Sequence, residues 1–349
     1  MVTYQQCFLN FNDINMKVIQ TVNCQTTDNS QSICLKIRNL INANCEYVRI
    51  NLKNFTESDI QRVDKLLNCI ANEDENSKLK IVVDIPSTKI KYRLNVDTPD
   101  KIMCGENIII CEPQNLCSID AKAKKAYIDK SFFGNINSIN EGDVLYWGDG
   151  EGKFKIVEKR NDSLKIRAEN DFFFFDNKSI SKYYKKTKLD NKQIDYLRYI
   201  IEKFNINIIF LSFCESSNEV RYFKQLFPNV SICGKIETQL GIDNINKILE
   251  YSDGIMIARG DLLLNTSLGC FLNNQNYLAN TTISRKKELF IATDVLMSLN
   301  EQDYPSRADL CDIELIASYL TTGIILKTTF YYNNRFSSVM KLINAINDE

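Results

Sequence analysis

Residues 231–262 read SICGKIETQLGIDNINKILEYSDGIMIARGDL. The opening run, SICGKIE, is apolar and β-branched and predicts a strand ending on Lys235 and Glu237. GIDNINKILEYSD places Ile242, Ile245, Ile248 and Leu249 at helical spacing. GIMIARGDL predicts a second strand, closing on Arg259, Gly260 and Asp261. Strand, helix and strand within so short a stretch form a right-handed βαβ unit whose strand ends fall on one side. Lys235, Glu237 and Asp261 are therefore expected at one rim. An ammonium and two carboxylates at adjacent strand ends suit a divalent cation and an anionic substrate.

The same alternation continues outward in both directions. Toward the N-terminus, residues 16–22, 47–52 and 79–85 read as strands, with helical patterns at 30–43 and from Ser58 onward. This β-α-β-α-β series predicts a parallel sheet. Arg49 and Asn51 share one face of the second strand, and Asp84 ends the third. Toward the C-terminus, strands at 207–213, 289–295 and 323–327 alternate with helices near 191–204, 218–227, 276–287, 306–320 and 336–346. The whole predicts an α/β fold, a TIM (β/α)8 barrel, with its active site at the C-terminal strand ends. Those ends are Asn51, Asp84, Phe213, Glu237, Asp261 and Thr293.

The series is interrupted once, after the third strand. Residues 88–187 hold short alternating runs (IKYRLNV, NIIICE, VLYWGDG, KFKIVEK) without helical periodicity. They predict an inserted small β-barrel domain. The expected division is a TIM barrel from 1–87 and 188–349 with a β-rich insert at 88–187.

Composition narrows the function classes. The 349 residues are 44% hydrophobic and 25% charged, an ordinary globular balance. A net charge of −1 gives no electrostatic reason to expect nucleic acid or an anionic membrane as partner. No signal peptide and no membrane-length apolar run is visible, which predicts a cytoplasmic protein. The 12 cysteines contain no C-x-x-C pair, as expected of free, mostly buried thiols in a reducing compartment. The chain has no histidine. That excludes His-based triads and His-containing zinc sites, and leaves Lys, Asp, Glu, Tyr, Cys, hydroxyls and water for proton transfer.

Glu237 and Asp261 suit Mg²⁺, which takes one or two carboxylates together with substrate oxygens and water. The plain alternative is a pair of surface acids. Lys235, one alternation before Glu237, either stabilises charge on a transferring phosphoryl group or makes a structural ion pair with Glu237. Arg49 has apolar neighbours and is either a barrel-interior residue or a bidentate anion clamp. Gly260 gives backbone N–H groups room to approach a ligand. Thr293 places a hydroxyl at a strand end.

Taken together these stretches resemble pyruvate kinase. GKIETQLGIDNINKILEYSDGIMIARGDL is similar to that family's signature, KIENxEGxxNxxEIxxxSDGIMVARGDLG. LFIATDVLMSL resembles its ATQMLESM segment, PSRAD its PTRAE, VRINL its ARLNFSHG, and VVDIPSTKIK its LLDTKGPEIR. The resemblance is strongest at 234–261, good at 289–309 and weak in the insert. It implies phosphoryl transfer from phosphoenolpyruvate to ADP. Lys235 would lie against the phosphoryl group, Glu237 and Asp261 would hold Mg²⁺ (with Mn²⁺ as a substitute), and Arg49 would clamp the phosphate. Backbone at Gly260 and Asp261 with Thr293 would hold the ketoacid carboxylate, and Thr293 would lie near the path that protonates the enolate. In the insert, Asp149-Gly150 resembles the family's D-D-G, Lys178 falls where the family has a lysine near the nucleotide, and the insert would act as a lid.

Departures from the family pattern refine these expectations. The family's K⁺ ligands fall at Asn51, Lys53, Asp84 and Ile85, and Lys89 stands where a glutamate is usual. K⁺ is therefore expected not to be required. Glu215 replaces a basic residue, Leu263 replaces a glycine, DFFFFD (171–176) replaces a Gly-rich stretch, and KTTFY (327–331) replaces SGETA. DFFFFD is expected to be insert core rather than contact surface. A counterpart of the family's C-terminal regulatory domain is not expected, and the expected assembly is then a homodimer through the barrel, or a hetero-oligomer with a full-length pyruvate kinase. The alternative functional reading is a weakly active or inactive paralogue serving as partner subunit. A third is another metal-dependent barrel enzyme acting on phosphoenolpyruvate or pyruvate.

Overall fold

Eight short runs, buried along almost their whole length because both faces of the sheet are covered, build the larger of two units. They are β1 (Lys17–Val22), β2 (Tyr47–Asn51), β3 (Lys80–Ile85), β4 (Ile206–Leu211), β5 (Ser231–Ile236), β6 (Gly254–Ala258), β7 (Glu288–Ala292) and β8 (Gly323–Leu326). In this computed structural model they pair in parallel and close into one barrel, β8 bonding to both β7 and β1. The structure describes residues 16–24, 28–52, 55–74, 78–85, 90–96, 100–111, 124–128, 140–147, 152–160, 162–174, 179–182 and 189–348. By contact the chain divides into Met1–Ser87 with Lys188–Glu349, and Thr88–Thr187.

Helices alternate with the strands. α1 (Ser30–Asn42) and α2 (Glu57–Glu73) follow β1 and β2, and α3 (Asn191–Lys203) leads into β4. α4 (Ser217–Leu226) follows β4, and α5 (Gln239–Asp243) and α6 (Ile245–Tyr251) separate β5 from β6. α7 (Arg259–Leu264) and α8 (Phe271–Ser284) follow β6, α9 (Arg307–Ser318) follows β7, and α10 (Thr328–Tyr332) and α11 (Phe336–Asp348) follow β8. Local chemistry starts several of them. The Thr56 hydroxyl accepts the Asp59 N–H to cap α2, and Asp190 and Gln193 form a reciprocal capping box on α3.

Alternation sorts the strand residues into two cores. Val48, Ile50, Ile81, Val83 and Ile85 pack outward beneath the helices. Ile19, Tyr47, Val82, Phe210, Met256, Phe290 and Ile325 form a separate interior cluster, with the Phe210 and Phe290 rings edge-to-face at 5.2 Å. The inward column continues past these apolar layers to Thr21, Arg49, Asp84 and Lys235, so the polar residues gather at the C-terminal end of the barrel.

Three expected boundaries that bear on the site are corrected, the first being the strand expected over 289–295, which ends at Ala292 because Thr293 leaves extended geometry at φ +78°. The run after β5 is not one helix but two, because Asn244 (φ −97°, ψ 6°) leaves helical geometry. Its side-chain amide instead donates to the Glu215 carbonyl at 3.0 Å. The strand expected to close on Arg259, Gly260 and Asp261 ends at Ala258, and those three residues open α7. Arg259 is committed to the Thr293 carbonyl just past the neighbouring strand β7 and to Asp312 on α9, which turns the chain out of the sheet.

The second unit is a closed barrel of its own, with order Ser163–Ala168, Asn107–Cys111, Lys124–Ile128, Ile90–Val96, Ser179–Lys182, Val144–Trp147 and Gly152–Lys159. A two-stranded sheet pairs Phe172–Phe174 with Asp100–Ile102. Within the expected aromatic core, Phe172 and Phe174 are buried against Trp147 and Phe154, while Phe173 points out at 60% exposure.

Candidate active site

The mouth of the larger barrel holds a connected charged cluster. Arg49, inward-facing on β2, donates from Nη1 to the Thr21 hydroxyl at 3.1 Å and from Nη2 to Asp84 at the end of β3. The Asp84 carboxylate is 1% exposed. Its other oxygen accepts the Ser212 hydroxyl at 3.0 Å. Lys235, inward-facing on β5, lies 3.3 Å from Asp84 and 3.1 Å from Glu237, and donates to Ser212 at 3.2 Å. Glu237 accepts the Phe213 N–H at 2.6 Å, with Phe213 held at φ +50°.

The electrostatics follow from burial and head-count. Burial opposes ionisation of Asp84, but the Lys235 ammonium and the Arg49 guanidinium outweigh it and hold the carboxyl below its ordinary value. Burial likewise opposes the charge on Lys235, and Asp84 and Glu237 outweigh that to raise its pKa. Glu237 is different. Burial raises it, Lys235 only partly offsets this, and nearby Asp261 and Asp84 push it further, to about 7. Two cations face three carboxylates here, and Glu237 is the acid that relieves the excess negative charge by holding a proton most readily.

The second half of the mouth is built by α7 and the turn after β7. Asp261 lies in the first turn of α7. The Asn265 side chain donates to the backbone carbonyls of both Glu237 (2.9 Å) and Asp261 (2.8 Å), tying the two acid-bearing segments together. Gly260 lies against Thr293: a Cβ on Gly260 would come within 3.0 Å of Thr293 Cγ2. Thr293 has φ +78°, and its carbonyl accepts two N–H bonds from Arg259, which is itself paired bidentately with Asp312.

The donor set fits a hard divalent cation. Among the described residues no group of three or more His, Cys, Asp or Glu could hold a metal. Glu237 and Asp261 therefore offer a partial oxygen shell, the kind Mg²⁺ accepts, in a mouth where acids outnumber cations.

Of the sequence-derived candidates, Arg49, Asp84, Lys235 and Glu237 form one bonded cluster, and Gly260, Asp261 and Thr293 line the adjoining edge. Asn51 ends β2 in register with Asp84 and is exposed. Ile85 packs in the outer core, away from the mouth. Lys53, Lys89, Asp149 and Lys178 lie outside the described residues. Glu215 accepts the Thr238 hydroxyl at 2.7 Å and so braces the start of α5. Thr21 and Ser212 join the cluster from positions two residues beyond Ile19 and Phe210, a placement that alternation carries although no motif marks it. The partners of Arg259 and the bridging role of Asn265 carried no signal in one dimension.

Comparison with known proteins adds to this geometry. A family profile described as "Pyruvate kinase, barrel domain" matches residues 14–319. The pyruvate kinase of Borreliella burgdorferi is 26% identical over 326 residues, covering 89% of this chain and 64% of that protein. The pyruvate kinase of Schizosaccharomyces pombe is 28% identical over 247 residues, covering 67% of this chain and 47% of that protein. Pyruvate kinase 2 of Saccharomyces cerevisiae is 26% identical over 293 residues, covering 80% and 56%. The chain thus spans about half to two thirds of the length of these relatives.

Proposed function

The chain belongs to the pyruvate kinase family, and on that premise we propose that it transfers the phosphoryl group of phosphoenolpyruvate to ADP, giving pyruvate and ATP, as a glycolytic enzyme of the cytoplasm. The observation that carries this reading is the buried Lys235 ammonium, held by Asp84, Glu237 and Ser212 beside the Arg49 guanidinium.

Phosphoryl transfer is catalysed mainly by positioning and by charge placed where it develops. Lys235 supplies a fixed positive charge whose position does not have to reorganise during reaction. Arg49 presents a planar fork suited to phosphate, and its Thr21 and Asp84 bonds fix the plane. Glu237 and Asp261 would hold Mg²⁺, which when bound neutralises phosphate and enolate oxygen charge. Backbone at Gly260 and Asp261 orients the carboxylate of the ketoacid. The Thr293 hydroxyl stands by the carbon that gains a proton when the enolate collapses to pyruvate. Activity is proposed to be independent of K⁺, supported by the engagement of Asp84 with Arg49, Lys235 and Ser212 and by the outward packing of Ile85.

The test is a lactate-dehydrogenase-coupled assay with phosphoenolpyruvate, ADP and Mg²⁺, run in sodium and in potassium buffers. Equal turnover in the two is expected, falling on the order of a hundredfold or more in Lys235→Met. Strict dependence on potassium refutes the ion-independent reading. Absence of turnover, restored only by adding a complete pyruvate kinase subunit, favours the partner-subunit alternative.

A further inference from the structure

We propose that Arg259, clamped by Asp312, is a positioning residue for the reaction: it holds Thr293 in its strained backbone conformation and so sets where the Thr293 hydroxyl sits. The inference rests on the kinase reading above and assigns the geometry behind one of its residues.

Thr293 is β-branched and sits at φ +78°, a region such residues enter only when the surroundings hold them there. Asp294 and Leu296 also have positive φ, so the strain spans the turn after β7. The Thr293 carbonyl receives two donors from one guanidinium, Arg259 Nε at 3.0 Å and Nη2 at 2.8 Å. The opposite side of that fork is taken by Asp312 on α9, with Nη1 and Nη2 at 2.6 and 2.8 Å from its two oxygens. The Arg259 side chain is only 12% exposed, where charge-assisted bonds are little weakened by solvent. Gly260, the next residue, lacks the Cβ that would press on Thr293 Cγ2. One planar group thus joins the start of α7, the strained turn and α9. A lysine could supply the charge but not the two-sided fork.

A double-mutant cycle separates this role from a merely structural ion pair. Asp312→Asn, Thr293→Ala and the double variant are compared in kcat and KM for phosphoenolpyruvate, in Mg²⁺ dependence and in melting temperature. Asp312→Asn is expected to lower kcat/KM on the order of tenfold to a hundredfold, with Mg²⁺ dependence unchanged, because misplacement of a reacting group is costly. In the Thr293→Ala background the same change should have no further effect, since its action runs through Thr293. Arg259→Lys, which keeps the charge, is the parallel variant should Asp312→Asn not fold. Losses that multiply in the double variant overturn the proposal. Should the wild type bind pyruvate without turnover, the same cycle is read in pyruvate affinity by calorimetry. A wild type that neither turns over nor binds pyruvate overturns the kinase reading itself, whereas additive losses in an active enzyme overturn only the positioning role.

Discussion

Glu237 carries the conflict at the mouth. It is 1% exposed, faces one ammonium, and shares it with Asp84 and Asp261. Its native pKa is raised from 4.5 to about 7. Between those values the native state keeps a proton that the unfolded chain has released. The stabilisation is therefore full below the unfolded pKa and is lost as pH rises through the folded one. Relative to Glu237→Gln, the melting temperature of metal-free wild type should fall as pH rises from about 5 to about 8. Added Mg²⁺ should recover more of that loss at the higher pH, because a ligating carboxylate must be ionised. Parallel pH profiles for wild type and variant would show that Glu237 titrates normally. Asp84 sets the contrast: equally buried, but held low by two cations, it stabilises above its unfolded value and loses that as pH falls. Much of this was legible in the sequence, because alternation alone puts Arg49, Lys235 and Glu237 inward. What alternation could not convey is how three acids divide two cations, since that depends on distances between strands far apart in the chain.

At the scale of elements, the sequence announced strands and helices well and their ends poorly. Apolar spacing in 231–262 marks two strands and helical turns between them, yet it does not reveal that Arg259 leaves the sheet. The reason is its contact with Asp312, 53 residues away, a tie that overrides the strand-like pattern of GIMIARGDL. The break at Asn244 has the same origin, a side-chain bond to the Glu215 carbonyl. The resulting short helix α7 has little internal cohesion, so its fit against the Thr293 turn depends on close packing at Gly260. Gly260→Ala would set a Cβ within 3.0 Å of Thr293 Cγ2 and must push one element from the other by a few tenths of an ångström. We expect kcat/KM for phosphoenolpyruvate to drop roughly tenfold while the melting temperature changes little. Gly269→Ala is the control, because nothing lies within 4 Å of the added Cβ. Equal activity of the two variants would show that the approach of α7 to the turn is not critical.

The whole molecule is two closed barrels with separate apolar cores. Among the described residues, the insert's buried cluster consists only of its own residues, from Ile102 to Ile180, and the barrel's clusters contain none of them. All described helices belong to the larger unit. The chain's single tryptophan, Trp147, is fully buried in the insert, with its ring 4.4 Å from Phe174. Two optical signals therefore report on two different cores: tryptophan fluorescence on the insert, far-ultraviolet circular dichroism mainly on the helices of the TIM barrel. Phe154 packs edge-on against Phe172 and Phe174 and is fully buried. Phe154→Ala removes a large core side chain, a change that costs about 3–5 kcal/mol in a well-packed interior. In urea, the fluorescence midpoint of Phe154→Ala should shift clearly to lower concentration while the dichroism midpoint stays near that of wild type. A common shift of both transitions would mean that the two cores unfold as one cooperative unit, and that the boundaries at Ser87 and Lys188 divide contacts but not stability.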